Sequence, residues 1–153
     1  MSLTECIREN FGDGLVRRCA DSGCRLGLKG LESFLVLKGE RLCEHERISD
    51  CIIFADNVLI GIVELKSKTA HANQIIDKLT NAASLTLAIL RKCGTRSSDF
   101  EILFIVLCKA WRVSDHRIIS NRRIRLKGRN FGIVTKKCGT NLATLTKFAQ
   151  SIP

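Results

Sequence analysis

Tyrosine is absent from this chain, and proline, methionine and tryptophan occur once each. So little proline, in 153 residues that are 45% hydrophobic and 26% charged, excludes a Pro-rich disordered chain and describes an ordered globular one. At this length a single domain with a proper core is expected. With seven Phe as the main aromatics, base stacking is not expected to be the principal grip on any nucleic acid. Long apolar runs are also missing, because Asp56, Gly61 and Glu64 interrupt the best of them, so no membrane partner is expected. The opening MSLTECIRENFGDG has acids but no apolar signal core, which makes cytoplasmic the expected location.

The most uneven absence is of acids near the C-terminus. Residues 1–115 hold all 15 acids against 16 of the 25 Lys and Arg, a net +1, whereas 116–153 carry nine basic residues and no acid. Nearly all of the formal +10 therefore lies in a basic C-terminal segment, taken as 112–153 of one 1–153 domain. A one-sign surface of this kind attracts polyanions by releasing their counterions. Arg122, Arg123, Arg125, Lys127, Arg129, Lys136 and Lys137 are the candidate substrate-binding residues, and nucleic acid, DNA above all, is the expected partner.

The eight cysteines, at 6, 19, 24, 43, 51, 93, 108 and 138, include no Cys-x-x-Cys pair. Several lie inside apolar patterns, so free buried thiols are expected rather than disulfides or a zinc framework. Cys43-Glu44-His45, taken with Cys19 and Cys24, matches no common zinc spacing.

The most informative stretch is ISDCIIFADNVLIGIVELKSK, from Ile48 to Lys68. It reads as two apolar strands around a turn, with Asp50 near the start of the first and Glu64-Leu65-Lys66 closing the second. A three-residue loop at Ala55-Asp56-Asn57 would set Phe54 against Val58, Asp50 against Ile62 and Ile48 against Glu64. Asp50, Glu64 and Lys66 would then share one face at the open end of the hairpin. A two-residue loop at Asp56-Asn57 would shift the register by one and turn Asp50 away from Glu64. Both faces are otherwise apolar, as in a sheet covered by helices on both sides, so an α/β protein is expected. Two carboxylates at such a strand end suit a hard divalent ion, Mg²⁺ or Mn²⁺, with the lysine beside a bound water or phosphate.

Asp50, an apolar spacer, Glu64-Leu65-Lys66 and then a helix resemble the PD-(D/E)XK nuclease superfamily, which includes restriction endonucleases and archaeal Holliday-junction resolvases. The resemblance covers Glu32 to Lys92 and continues by strand order alone. It implies a restriction-endonuclease-like core, a central mixed β-sheet flanked by helices in αβββαβ order. By this resemblance Asp50, Glu64 and the Leu65 carbonyl hold the metal, and Lys66 serves the attacking water. Ser49 stands where the family has proline. The resemblance also implies a further acid on the first helix, Glu5 or Glu9, and a substrate or water contact at Gln74.

Around this motif, helical spacing runs from Leu3 to about Ala20, broken at Gly12 to Gly14. A glycine-punctuated segment, 21–30, leads into an apolar strand at 32–37. Arg41 to Arg47 could extend the next strand or form a loop over the site, and the cluster Glu44, His45 and Glu46 is given no role. A long buried helix is expected over 71–92 with Thr69 as its cap, and a central strand over 101–108. A short helix at 113–119, strands near 122–126 and 131–137, and a closing helix at 141–151 with Phe148 inward complete the order. The function these readings imply is a Mg-dependent endonuclease hydrolysing phosphodiester bonds in DNA, compatible with a homodimer or a larger complex. The rival is a nucleic-acid-binding module without catalysis, or a subunit of a repair or defence complex, that keeps the nuclease fold.

Overall fold

The computed structural model describes residues 1–44, 47–68 and 71–146. In chain order the elements are α1 (Leu3–Phe11), β1 (Leu15–Val16), β2 (Cys19–Asp21), β3 (Cys24–Leu26), β4 (Phe34–Lys38), α2 (Gly39–Leu42), β5 (Cys51–Ala55), β6 (Leu59–Lys66), α3 (Ala72–Lys92), β7 (Glu101–Cys108), α4 (Val113–Asn121), β8 (Arg123–Leu126) and β9 (Arg129–Lys137). Seven strands form one sheet in the order β1-β4-β5-β6-β7-β9-β8, and β2 and β3 pair as a separate hairpin. β4, β5 and β6 run antiparallel in succession, while β6 pairs with β7, and β7 with β9, in parallel. Parallel neighbours need a crossover, which α3 supplies between β6 and β7. The chain is therefore α/β, with a mixed central sheet and helices.

Alternation along the strands builds two cores. Leu35, Leu37, Ile52, Phe54, Ile60, Ile62, Phe104 and Val106 meet Ile75, Leu79 and Leu90 of α3 and Ile7 of α1 on one face. Val36, Cys51, Ile53, Val63, Leu65, Ile105 and Leu107 meet Cys19, Cys24, Leu26 and Leu142 on the other. All of β5, and β6 up to Leu65, are buried, as befits strands covered on both sides.

The cysteines depart from the expectation of free thiols. Cys6–Cys93 and Cys24–Cys138 are disulfides, with Cα atoms 5.7 and 5.0 Å apart. Separations of 87 and 114 residues leave no local signature, because only the folded topology brings these pairs together. Cys19, Cys43, Cys51 and Cys108 are free. A hydrogen bond with Cys51, together with burial, pushes the Cys19 thiol well above its ordinary value, the mark of an inert structural cysteine.

The 21–30 segment is only partly a loop. It holds β3 and the Ser22-Gly23 turn of the β2–β3 hairpin, both at positive φ, 48° and 84°. Strands of three residues are too short for alternation to announce them. The first helix stops at Phe11, where the glycines begin. The expected closing helix is a 3-10 turn, Leu142–Leu145, as far as it is described. Phe148, Thr69, His45 and Glu46 lie outside the described residues. Among the described residues no helix is long and apolar enough to cross a membrane.

Candidate active site

The β5–β6 turn decides where the acids go. Val58 N donates to Ala55 O at 3.1 Å across Asp56 and Asn57, whose φ values of 52° and 57° are those of a two-residue I′-type turn. Alone, that turn would pair Ala55 with Val58 and send Asp50 to the face opposite Glu64. Instead Ala55 pairs with Leu59. Val58 is an extra residue, a bulge, and its carbonyl accepts from Glu101 N at 2.8 Å on the neighbouring strand.

The bulge corrects the expected register by two residues. Cys51 faces Val63 and Ile52 faces Ile62, so Asp50, next along, comes opposite Glu64 rather than Ile62. A shift of two leaves every side chain on its face, and the acids meet directly.

Backbone contacts hold Asp50 in place. Its carbonyl accepts from Gly39 N at 2.9 Å, and its Oδ2 accepts from Leu65 N at 2.7 Å. Residue 39 has no room for a side chain, since a Cβ would stand 2.0 Å from the Ser49 carbonyl oxygen. Ser49 is buried, and its N–H donates to Lys78 O of α3 at 3.2 Å, a bond proline could not make. Asn81 Nδ2 donates to Arg47 O at 2.6 Å and fastens the same segment to α3 a second time.

Glu64 is fully buried, and neither carboxylate oxygen receives an aligned hydrogen bond. What it has is charge: Lys78 Nζ lies 3.0 Å and Lys66 Nζ 3.5 Å from Oε2. Burial, followed by the adjoining Glu64 carboxyl, pushes Asp50 up to about 7 against the opposing pull of the Leu65 N–H and Lys78. Burial lowers Lys78, but the Glu64 carboxylate outweighs it and leaves this lysine above its ordinary value.

Asp50, Glu64, Lys66 and the Leu65 main chain thus come together as expected. Lys78 is the member sequence reasoning missed. Its signal was available: it falls i+3 from Ile75 and i−4 from Ala82, inside the apolar stripe of its helix. Gln74 is exposed one turn earlier on the same side of α3.

Glu5 and Glu9 are not brought to this cluster. Both are exposed on α1. Glu5 sits in the first turn, where neighbouring Leu3, Thr4 and Ile7 line a crevice with Phe54, Asp56 and Asn57 at the closed end of the hairpin. Glu9 lines a crevice with Arg41 and Leu42. Among the described residues no third His, Cys, Asp or Glu completes a metal-binding group with Asp50 and Glu64.

All seven basic candidates are exposed, but they do not share one face. Ile124, Phe131 and Ile133 point into the core on the Glu64 side, so alternation puts Arg129 and Lys137 on that side and Arg123, Arg125 and Lys136 on the other. Lys137 registers with Cys108, which registers with Lys66, so the two lysines are about 10 Å apart across two strand spacings. Lys127 occupies the tip turn with Gly128, and Arg122 caps α4. On β8, an edge strand, charged side chains also discourage pairing with another sheet.

The chain matches no family model, no curated protein and no solved structure. The chemistry of the site stands on its geometry. Two facing carboxylates, one with both oxygens lacking an aligned donor, are a donor set that suits a hard divalent ion keeping several waters. A cation between them would relieve the repulsion that raises Asp50.

Proposed function

We propose that this protein is a metal-dependent nuclease that hydrolyses phosphodiester bonds in DNA on a restriction-endonuclease-like core. The observation that carries the reading is Asp50 set against Glu64, two acids forced together at the end of buried strands beside two lysines. Such a like-charge contact is unfavourable for the fold, and it is offset where a divalent ion is bound. Asp50, Glu64 and the Leu65 carbonyl are the groups that would hold Mg²⁺ or Mn²⁺. When bound, the ion supplies positive charge for the phosphate and a water of lowered pKa.

The protein's own side chains account for the rest. Lys66, partly exposed at the end of β6, is placed to donate to the attacking water or to a phosphate oxygen. Lys78 sets a positive charge 3.0 Å from Glu64 Oε2. Lys137, on the same side and at the same end of the sheet, extends the cationic surface for the sugar-phosphate backbone, whereas Arg129 lies at the far end of β9. Cytoplasmic location belongs to this proposal, with four free thiols in its favour and two disulfides against it.

One observation favours the rival binding module. The formal charges of Asp50, Glu64, Lys66 and Lys78 sum to zero without a metal, with both lysines beside Glu64 where a cation would act. Supercoiled, linear, branched and single-stranded DNA, each incubated with and without Mg²⁺, separates the two readings. Mg²⁺-dependent cutting that Glu64→Ala and Lys66→Ala abolish supports the nuclease. Binding without cutting, or cutting that survives both substitutions, supports the rival.

A further inference from the structure

We infer that the opposite face of the sheet carries a second nucleic-acid contact, built to take a single strand. Arg17, Arg18, Arg25 and Lys29 line a cleft of about 560 Å³ whose walls include Leu28 and Phe34. None of these residues belongs to the C-terminal basic segment. They are hidden in the near-neutral count of residues 1–115, because the balancing acids lie elsewhere.

The face follows from the register. Phe34 alternates with Leu35, which packs on the Glu64 side, and shares its own side with Val36 of the second core. β3 and the segment around Asn141 cover that second core. The cleft is accordingly separated from Asp50 and Glu64 by the thickness of the sheet.

Four features suit it to a polyanion. All four cations are exposed, and among the described residues none is ion-paired. No acid lines the cleft. Its floor is fixed: Gly27 N donates to Thr140 O at 2.9 Å, Leu142 N to Gly27 O at 2.8 Å, and Asn141 Nδ2 to Lys29 O at 3.1 Å. Phe34 is 40% exposed at the start of its strand, a ring with no core to enter. Cations along a groove with one open aromatic are the combination that holds single-stranded nucleic acid, the phosphates on the arginines and a base on the ring. A duplex keeps its bases stacked and has no use for the ring. An acidic peptide would meet the arginines but gain nothing from Phe34.

Binding in EDTA isolates this surface from any hydrolysis, so its failure and that of the nuclease reading are distinguishable. The full chain is titrated with a fluorescein-labelled 20-nucleotide single strand and with its duplex, by anisotropy across a salt series. Arg17→Ala/Arg25→Ala should flatten the log K against log salt slope for the single strand by about 1.4, at about 0.7 per phosphate contact. Arg17→Lys/Arg25→Lys should keep the slope. Phe34→Ala should weaken the single strand about tenfold and leave the duplex unchanged. An unchanged slope in the double alanine variant would overturn the inference. So would equal loss for both probes in Phe34→Ala, or displacement of the single strand by poly-glutamate of equal charge as readily as by unlabelled oligonucleotide.

Discussion

Lys78 Nζ stands 3.0 Å from Glu64 Oε2, joining the middle of a helix to the end of the central strand. The same lysine's backbone carbonyl accepts from Ser49 N, so one residue contacts both the Glu64 carboxylate and the segment that carries Asp50. Lys78→Ala leaves a buried carboxylate with only the longer Lys66 contact. A loss of about 1–3 kcal/mol in urea unfolding at pH 8 is expected, and Lys78→Arg should recover part of it. Full stability in the alanine variant would remove Lys78 from the cluster.

The raised Asp50 gives stability a defined pH dependence. Its folded value of about 7 lies above the ordinary 3.8, so between these values the native state binds the extra proton. Stability must then fall as pH rises through that window, and it is highest at the acid end. In EDTA, the difference in melting temperature between the native protein and Asp50→Asn should therefore favour the native protein more at pH 5 than at pH 8. A difference independent of pH would show that burial and the adjoining Glu64 carboxyl do not raise Asp50.

Gly39 is a steric requirement of the site. A methyl group there would lie 2.0 Å from the Ser49 carbonyl oxygen, and the backbone would have to move. Gly39→Ala should cost about 1–3 kcal/mol, as overpacked positions do. Because Gly39 N also holds the Asp50 carbonyl, the variant should lose divalent-ion affinity in calorimetry even at temperatures where it stays folded.

Thiol counting tests the covalent frame. Denatured without reductant, the protein should show four reactive thiols, those of Cys19, Cys43, Cys51 and Cys108, and reduction should raise the number to the full eight. Reduction should also lower the melting temperature, since each bond closes a loop of 87 or 114 residues. Eight thiols before reduction would mean that the two pairs are only neighbours.

Much of the architecture was legible because it rests on long periodic runs. Glu101–Cys108 and Ala72–Lys92 appear almost at their expected bounds, since the unbroken apolar run 102–108 and a dense helical stripe each have one reading. The hairpin was legible in its strands and its acid-bearing face but not in its register. Asp56-Asn57 signals a two-residue turn, and nothing in Val58 announces the bulge that reverses its consequence. Lys78 was overlooked because a lone lysine on a helix reads as solvent-facing. β2 and β3 stayed hidden because three-residue strands are too short for alternation to announce them, and the disulfides because they join residues 87 and 114 apart in sequence. The cleft at Arg17, Arg18, Arg25 and Lys29 escaped because its cations, though close in sequence, are offset by acids elsewhere in the near-neutral count of residues 1–115.

Titration of Mn²⁺ into the protein by calorimetry at pH 8 tests the central claim most directly. Saturable binding that releases protons, and that Asp50→Asn and Glu64→Gln each abolish, is the predicted result. No saturable binding, or binding that both variants retain, would contradict an ion held between Asp50 and Glu64.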